Sequence, residues 1–329
     1  MPLLVAPAAV RVIPQRVRRM ECAAAAPLPR TALRRRCASV PACQRRLAPA
    51  PLRTRRCAAT AGGATPDSSV VSELAALSGC TVYAASTGAP VPAASLVSPS
   101  GTVILLFLTQ WGDFDSFELA QRLVDALPAL AAANVRLAAV GVGSVAGARL
   151  FSELTSFPLQ LLHADPDAAC YDALGFAPGA GRAGGPFPVL QGTPGIAKLM
   201  AMCAGLGSPG TLSEVFRGYL GDRDAPPVFN AGTNVDISWR DAFNVVGMGF
   251  QRPFELATLR GSNMVTILRN WDTLAPADAD LLVQRGGVCV FRDCALTWRH
   301  DDAGILGYAR PSEVLRAAGV DAPLPPGMR

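Results

Sequence analysis

The stretch Val103-Ile-Leu-Leu-Phe-Leu-Thr-Gln-Trp-Gly112, running on to Phe117-Glu-Leu-Ala120, decides the fold class. Residues 103–108 are apolar without a break, as a strand is when both faces of its sheet are covered. Behind them Phe117, Ala120, Leu123, Val124, Leu127 and Leu130 fall on one helical stripe. Pro128 is expected to kink or end that helix, because it brings no amide hydrogen. Asp115 and Glu118 have capping-box spacing, which predicts Asp115 as the N-cap with Glu118 reaching back to its amide. Asp113 adds a negative charge beside the positive end of the helix dipole.

The alternation continues downstream. A second strand is expected over 135–142, and Ser144 is placed to cap a helix carrying Leu150, Phe151 and Leu154. A third short strand over 159–163 is followed by Asp165-Pro166, read as an N-cap and a first helical position, with Gly175 as the stop. Strand and helix taken in turn predict parallel pairing. Upstream, 70–77 suits a short helix, and 81–96 holds β-type residues around the turn signal Thr87-Gly88.

Residues 176–250 break this rhythm with loops rich in glycine and proline around short amphipathic pieces at 196–206 and 212–219. A further helix is expected over 254–271. Two strands, 287–291 and 295–299, are read as a hairpin turning at Arg292-Asp293, with a closing helix from Pro311.

Half of the 329 residues are apolar and 17% are charged, enough to bury a core and too apolar for disorder. No apolar run approaches the roughly 18–20 residues of a membrane helix. The net charge of +5 conceals a step: residues 1–60 hold 13 arginines against Glu21, a net of +12, leaving 17 basic and 24 acidic groups, a net of −7, in the remainder. The acidic remainder lacks a nucleic-acid footprint. Residues 1–60 have the composition of an organelle transit peptide. A secretory signal fits poorly, since the apolar 3–10 precedes the first arginine and is broken by Pro7. The expected address is the chloroplast stroma, with the mitochondrion as alternative, and cleavage near Cys57.

Of nine cysteines, five lie beyond the leader: Cys80, Cys170, Cys203, Cys289 and Cys294. Their odd number, irregular spacing and lack of any Cys-x-x-Cys pair argue against a disulfide framework or a zinc ribbon.

The segment 107–112 with 117–120 resembles the active-site region of the peroxiredoxin-like branch of the AhpC/TSA family, of thioredoxin-like fold. Phe157-Pro158 through Asp165-Pro166, then Tyr171 and Leu174-Gly175, is similar to the family's next landmark. Arg299-His300-Asp301-Asp302 with Gly304 is similar to its ending. The resemblance implies an α/β fold with a mixed central sheet flanked by helices. The expected organisation is a leader (1–60), an N-terminal part of the domain (68–175), a helical insert of plastid and cyanobacterial type (176–284) and a completing hairpin and helix (285–320). Active relatives carry Cys-x-x-Cys just after the glycine corresponding to Gly112, and those two positions here are Asp113 and Ser116. A carboxylate lacks the nucleophilicity of a thiolate toward peroxide and a serine forms no disulfide, so the resemblance implies a lost redox centre.

Three functions remain open on these residues: a binding or regulatory module, a thiol–disulfide oxidoreductase using Cys170 or the pair Cys289 and Cys294, or a structural subunit docking a protein partner through the insert, where Met200 and Met202 lie. Cys170 shares a helix face with Ala173 and Leu174 and reads first as a small buried hydrophobe. Cys289 and Cys294 flank the expected hairpin turn, where cross-strand neighbours reach disulfide distance. His300 with Asp301 and Asp302 has metal-ligand types but reads as a hairpin brace, and Gly141-Val-Gly143 with Gly147 is an incomplete nucleotide loop. No cofactor or metal is expected.

Overall fold

The computed structural model describes residues 70–225, 227–229, 243 and 245–320. The arginine-rich stretch 1–60, expected to be a leader, lies outside them, as does much of 222–250. Strand β3 (Thr102–Gln110), apolar on both faces, lies in the interior of a seven-stranded sheet, between β4 and β6. The other strands are β1 (Thr81–Ala84), β2 (Pro90–Pro92), β4 (Arg136–Val142), β5 (Leu162–Asp165), β6 (Gly287–Arg292) and β7 (Ala295–Asp301), in the order β2-β1-β5-β4-β3-β6-β7. The strands β3, β4 and β5 run parallel. All other pairings are antiparallel, so the sheet is mixed.

Alternation along β3 divides the core. Ile104, Leu106 and Leu108 face helices α2 (Phe114–Val124) and α4 (Val145–Thr155). Leu105 and Phe107 face the opposite layer, built from α1 (Val70–Ser78) and α5 (Ala169–Leu174). The helix expected around Pro128 is two helices, α2 and α3 (Leu127–Ala132), with the proline in the first turn of the second, where its missing amide costs nothing. Ser144 caps α4 as expected, accepting from the Gly147 amide at 3.0 Å. The third strand starts later than expected, after a 3-10 turn over Leu159–Leu161. Helix α5 starts at Ala169 rather than at Pro166, yet Asp165 still accepts its first amides, Ala169 at 3.1 Å and Cys170 at 2.8 Å. The hairpin turns at Asp293 and Cys294, both left-handed, as a two-residue turn of the right twist requires.

Between these halves lie α6 (Gly195–Cys203), α7 (Thr211–Leu220), α8 (Glu255–Arg269) and α9 (Trp271–Leu274), and α10 (Pro311–Ala317) closes the fold. Helix α8 docks on α2 through reciprocal amide bonds between Gln121 and Asn263 at 3.1 and 3.0 Å. The glycines weighed as a nucleotide loop form the seat of a tryptophan. A Cβ on Gly141 would lie 2.4 Å from the buried Trp111 ring, and one on Gly147 would lie 2.8 Å from it. Among the described residues no helix is long and apolar enough to cross a membrane.

Candidate functional site

At the carboxyl end of β3 the chain turns through Trp111-Gly112 and enters α2. This turn is held from within: Gln110 accepts the Gly112 amide through Oε1 at 2.7 Å, and its own carbonyl accepts the Asp113 amide at 3.1 Å. The N-cap is Asp113, not Asp115, and its Oδ1 accepts the Asp115 amide at 3.1 Å. Ser116 is buried on the first turn with its hydroxyl 2.8 Å from that of Thr109.

The expected capping box does not form, because each of its acids has a stronger partner elsewhere. Glu118 is turned away from the helix start and held by Arg122 at 2.6 Å and Arg260 at 2.8 Å. Burial opposes its ionisation, but the two guanidiniums outweigh that and hold its carboxyl at about 2. Asp115 accepts the Leu306 amide at 2.8 Å through Oδ2.

The group that organises the loop is Arg285, which lies just before β6. Its Nη2 is 3.0 Å from Asp113 Oδ2 and its Nη1 is 3.3 Å from Asp115 Oδ2. All three side chains are buried, with Arg285 only 1% exposed. The following residue, Gly286, permits this approach, since a Cβ there would fall 1.9 Å from the Phe107 carbonyl oxygen. Nothing in the sequence pairs Arg285 with Asp113. The one available signal was an arginine at the head of an apolar strand, and an isolated cation there reads as solvated.

A third buried carboxyl, Asp302, also acts electrostatically on the Arg285 guanidinium. Burial and the neighbouring Asp113 push Asp115 well above the usual carboxylate range, only partly offset by Arg285 and the Leu306 amide. Burial likewise raises Asp302 to about 6 against the opposing pull of His300 and Arg285. His300 donates from Nε2 to the Gly307 carbonyl at 2.8 Å, as the expected hairpin brace, and sits 3.6 Å from Asp302.

The cysteines occupy other surroundings. Cys203, from α6, feels the charges of Asp113 and Asp115, and burial together with those carboxylates pushes its thiol up to about 11. Burial raises Cys289 to about 12 and also raises Cys80 and Cys170. Cys289 and Cys294 are not cross-strand neighbours. Cys289 pairs in register with Arg299 and faces the core, whereas Cys294 sits in the turn with its thiol 3.4 Å from the Ser98 carbonyl. Cys170 is wholly buried, as its helical position implied.

Beside the loop a cavity of about 260 Å³ opens between α7 and α8, lined by Phe114, Val215, Tyr219, Arg260, Met264 and Leu306 among others. Its walls are chiefly apolar, and Arg260 is already engaged by Glu118.

Parallel strands β3 to β5, an antiparallel hairpin beside β3 and a loop that starts a helix at the strand's carboxyl end define the thioredoxin-like class. Within it, a family profile described as AhpC/TSA antioxidant enzyme matches residues 122–304, more than half of the chain, and the chain belongs to that family. The matched stretch begins after the Asp113–Ser116 turn. Among solved structures, a cysteine-to-serine mutant of Xanthomonas campestris peroxiredoxin Q is 18% identical over 33% of this chain and 67% of that one, with a TM-score of 0.27. The Xanthomonas campestris bacterioferritin comigratory protein, described in terms of alkyl peroxide reduction, is 19% identical over 33% and 68%, also with a TM-score of 0.27. No curated protein matches the chain.

Proposed function

We propose that this member of the AhpC/TSA family is a binding or regulatory module rather than a peroxidase. The observation that carries this reading is the buried Asp113–Arg285–Asp115 cluster at the loop where the family resemblance puts the reactive thiols. A peroxidatic site needs a thiolate, and a cation beside it favours that ionised form. Here Arg285 is engaged by two carboxylates, and the nearby Cys203 thiol, at about 11, is protonated at neutral pH.

The cavity against Phe114 supplies the binding function. Because its walls are chiefly apolar and the Arg260 guanidinium is engaged by Glu118, its occupant is an uncharged or predominantly apolar small molecule. Gly261, on the cavity wall, has open space where a Cβ would stand. Gly261→Leu therefore fills the cavity while improving helix propensity in α8. Binding of a small apolar fluorescent probe should saturate in the natural protein and weaken at least tenfold in Gly261→Leu. Peroxide turnover driven by a thioredoxin-type reductant should be absent, and turnover that falls in Asp113→Ala would overturn the reading.

The charge step at residue 60 supports delivery to the plastid stroma, with a mature chain starting near Ala58. N-terminal sequencing of the native protein tests this, and a start at or before Arg30 contradicts it.

A further inference from the structure

On the sheet face opposite the cavity, two thiols from distant parts of the chain meet. Cys80, between α1 and β1, directs its Sγ at the Ala169 carbonyl, 3.6 Å away and 89 residues on. The next residue is Cys170, and the Cys80 thiol, the Cys170 thiol and the Asp165 carboxylate bear on one another's ionisation. Asp165 is itself fixed by the Ala169 and Cys170 amides. Cys80 is 7% exposed and Cys170 is 0% exposed, so oxidant reaches Cys80 first.

We propose that Cys80 and Cys170 form an oxidant-responsive disulfide site, independent of the Asp113 loop and of the function proposed for it. Hydrogen peroxide supplies the oxidising equivalents. Cys80 sulfur attacks one peroxide oxygen, the O–O bond breaks, and the thiol proton leaves with the departing hydroxide as water, giving a sulfenic acid. Cys170 sulfur then attacks the Cys80 sulfur and the S–OH bond breaks. The Cys170 proton leaves with the departing hydroxide as water, so one peroxide and two thiols yield one disulfide and two waters. Both thiols are held in the protonated form by burial, so the reaction is slow and stoichiometric, as in a sensor, and not a peroxidase cycle.

The bond ties the α1–β1 junction to α5 and closes a long loop, which constrains the unfolded chain. Full-length protein exposed to hydrogen peroxide under native conditions, alkylated and digested should yield a linked pair of peptides containing Cys80 and Cys170. The same sample should unfold roughly 5–10 °C higher than the reduced protein, reversibly with dithiothreitol. Cys80→Ser should abolish both the link and the shift, whereas Cys203→Ser should keep both. Recovery of the Cys80 and Cys170 peptides as separate alkylated or over-oxidised species from folded protein overturns the proposal. A temperature shift that survives in Cys80→Ser overturns it as well. Because the linked peptides are sought in the natural chain, the test does not depend on any variant folding.

Discussion

Arg285 and Asp113 stand 172 residues apart in the chain and 3.0 Å apart in the fold, and this contact ties the segment entering β6 to the start of α2. The pair is buried on both sides, so its value lies less in its attraction than in what happens when one partner is lost. Desolvated charges gain little net energy from pairing but cost several kcal/mol when left alone.

Arg285→Met should therefore destabilise the protein by about 3–5 kcal/mol at neutral pH, since Asp113 and Asp115 lose their shared cation. Adding Asp113→Asn to that variant should recover part of the loss. Denaturant unfolding of the single and double variants measures this, and an Arg285→Met protein as stable as the natural one would show that the cluster contributes nothing.

The acids of the site pull the pH profile in opposite directions. Glu118, lowered to about 2, contributes stability that is present above its unfolded value and is lost as pH falls through 2. Asp302, raised to about 6, contributes stability that is full below its unfolded value of 3.8 and is lost as pH rises through 6. Asp115 is shifted upward in the same sense. Stability should peak in mildly acidic solution, between about pH 4 and 5. Asp302→Asn should remove part of the decline between pH 4 and 7, about 3 kcal/mol from a shift of this size. A natural protein whose melting temperature rises steadily from pH 4 to 7 would refute the assignment.

Asp113 and Ser116 sit at the N-cap and the third residue of α2, within one turn. Replacing both with cysteine should allow a disulfide that thioredoxin-type reductants open, with Arg285 now facing a thiolate. Thiol titration in oxidising and reducing buffer reads the bond. Two free thiols in oxidising buffer, with circular dichroism unchanged, would mean that the loop geometry differs from that of active relatives.

Gly141→Ala should lower stability by about 1–3 kcal/mol, because the new methyl group meets the Trp111 ring at 2.4 Å in a site without slack. A melting temperature equal to that of the natural protein would show that the ring can move.

Local sequence determined the elements whose signals are local. Uninterrupted apolar residues fixed β3, a serine oxygen three residues before an amide fixed the start of α4, and a left-handed glycine ended α5. The same reasoning placed the N-cap of α2 at Asp115, because capping-box spacing ranks acids only against their own helix. Tertiary structure decided otherwise by bringing Arg285 to Asp113 and Asp115, and Arg260 to Glu118, from 142 or more residues away. Cys170 was legible only as a buried thiol, Cys80 only as one cysteine of an odd set, and Gly141 and Gly147 only as fragments of a loop, until packing set each in its surroundings. Periodicity and capping are properties of neighbours along the chain, so a sequence states them directly. The pairing of a buried charge depends on which surfaces meet once the sheet closes, and that is set by the sum of packing across the whole fold.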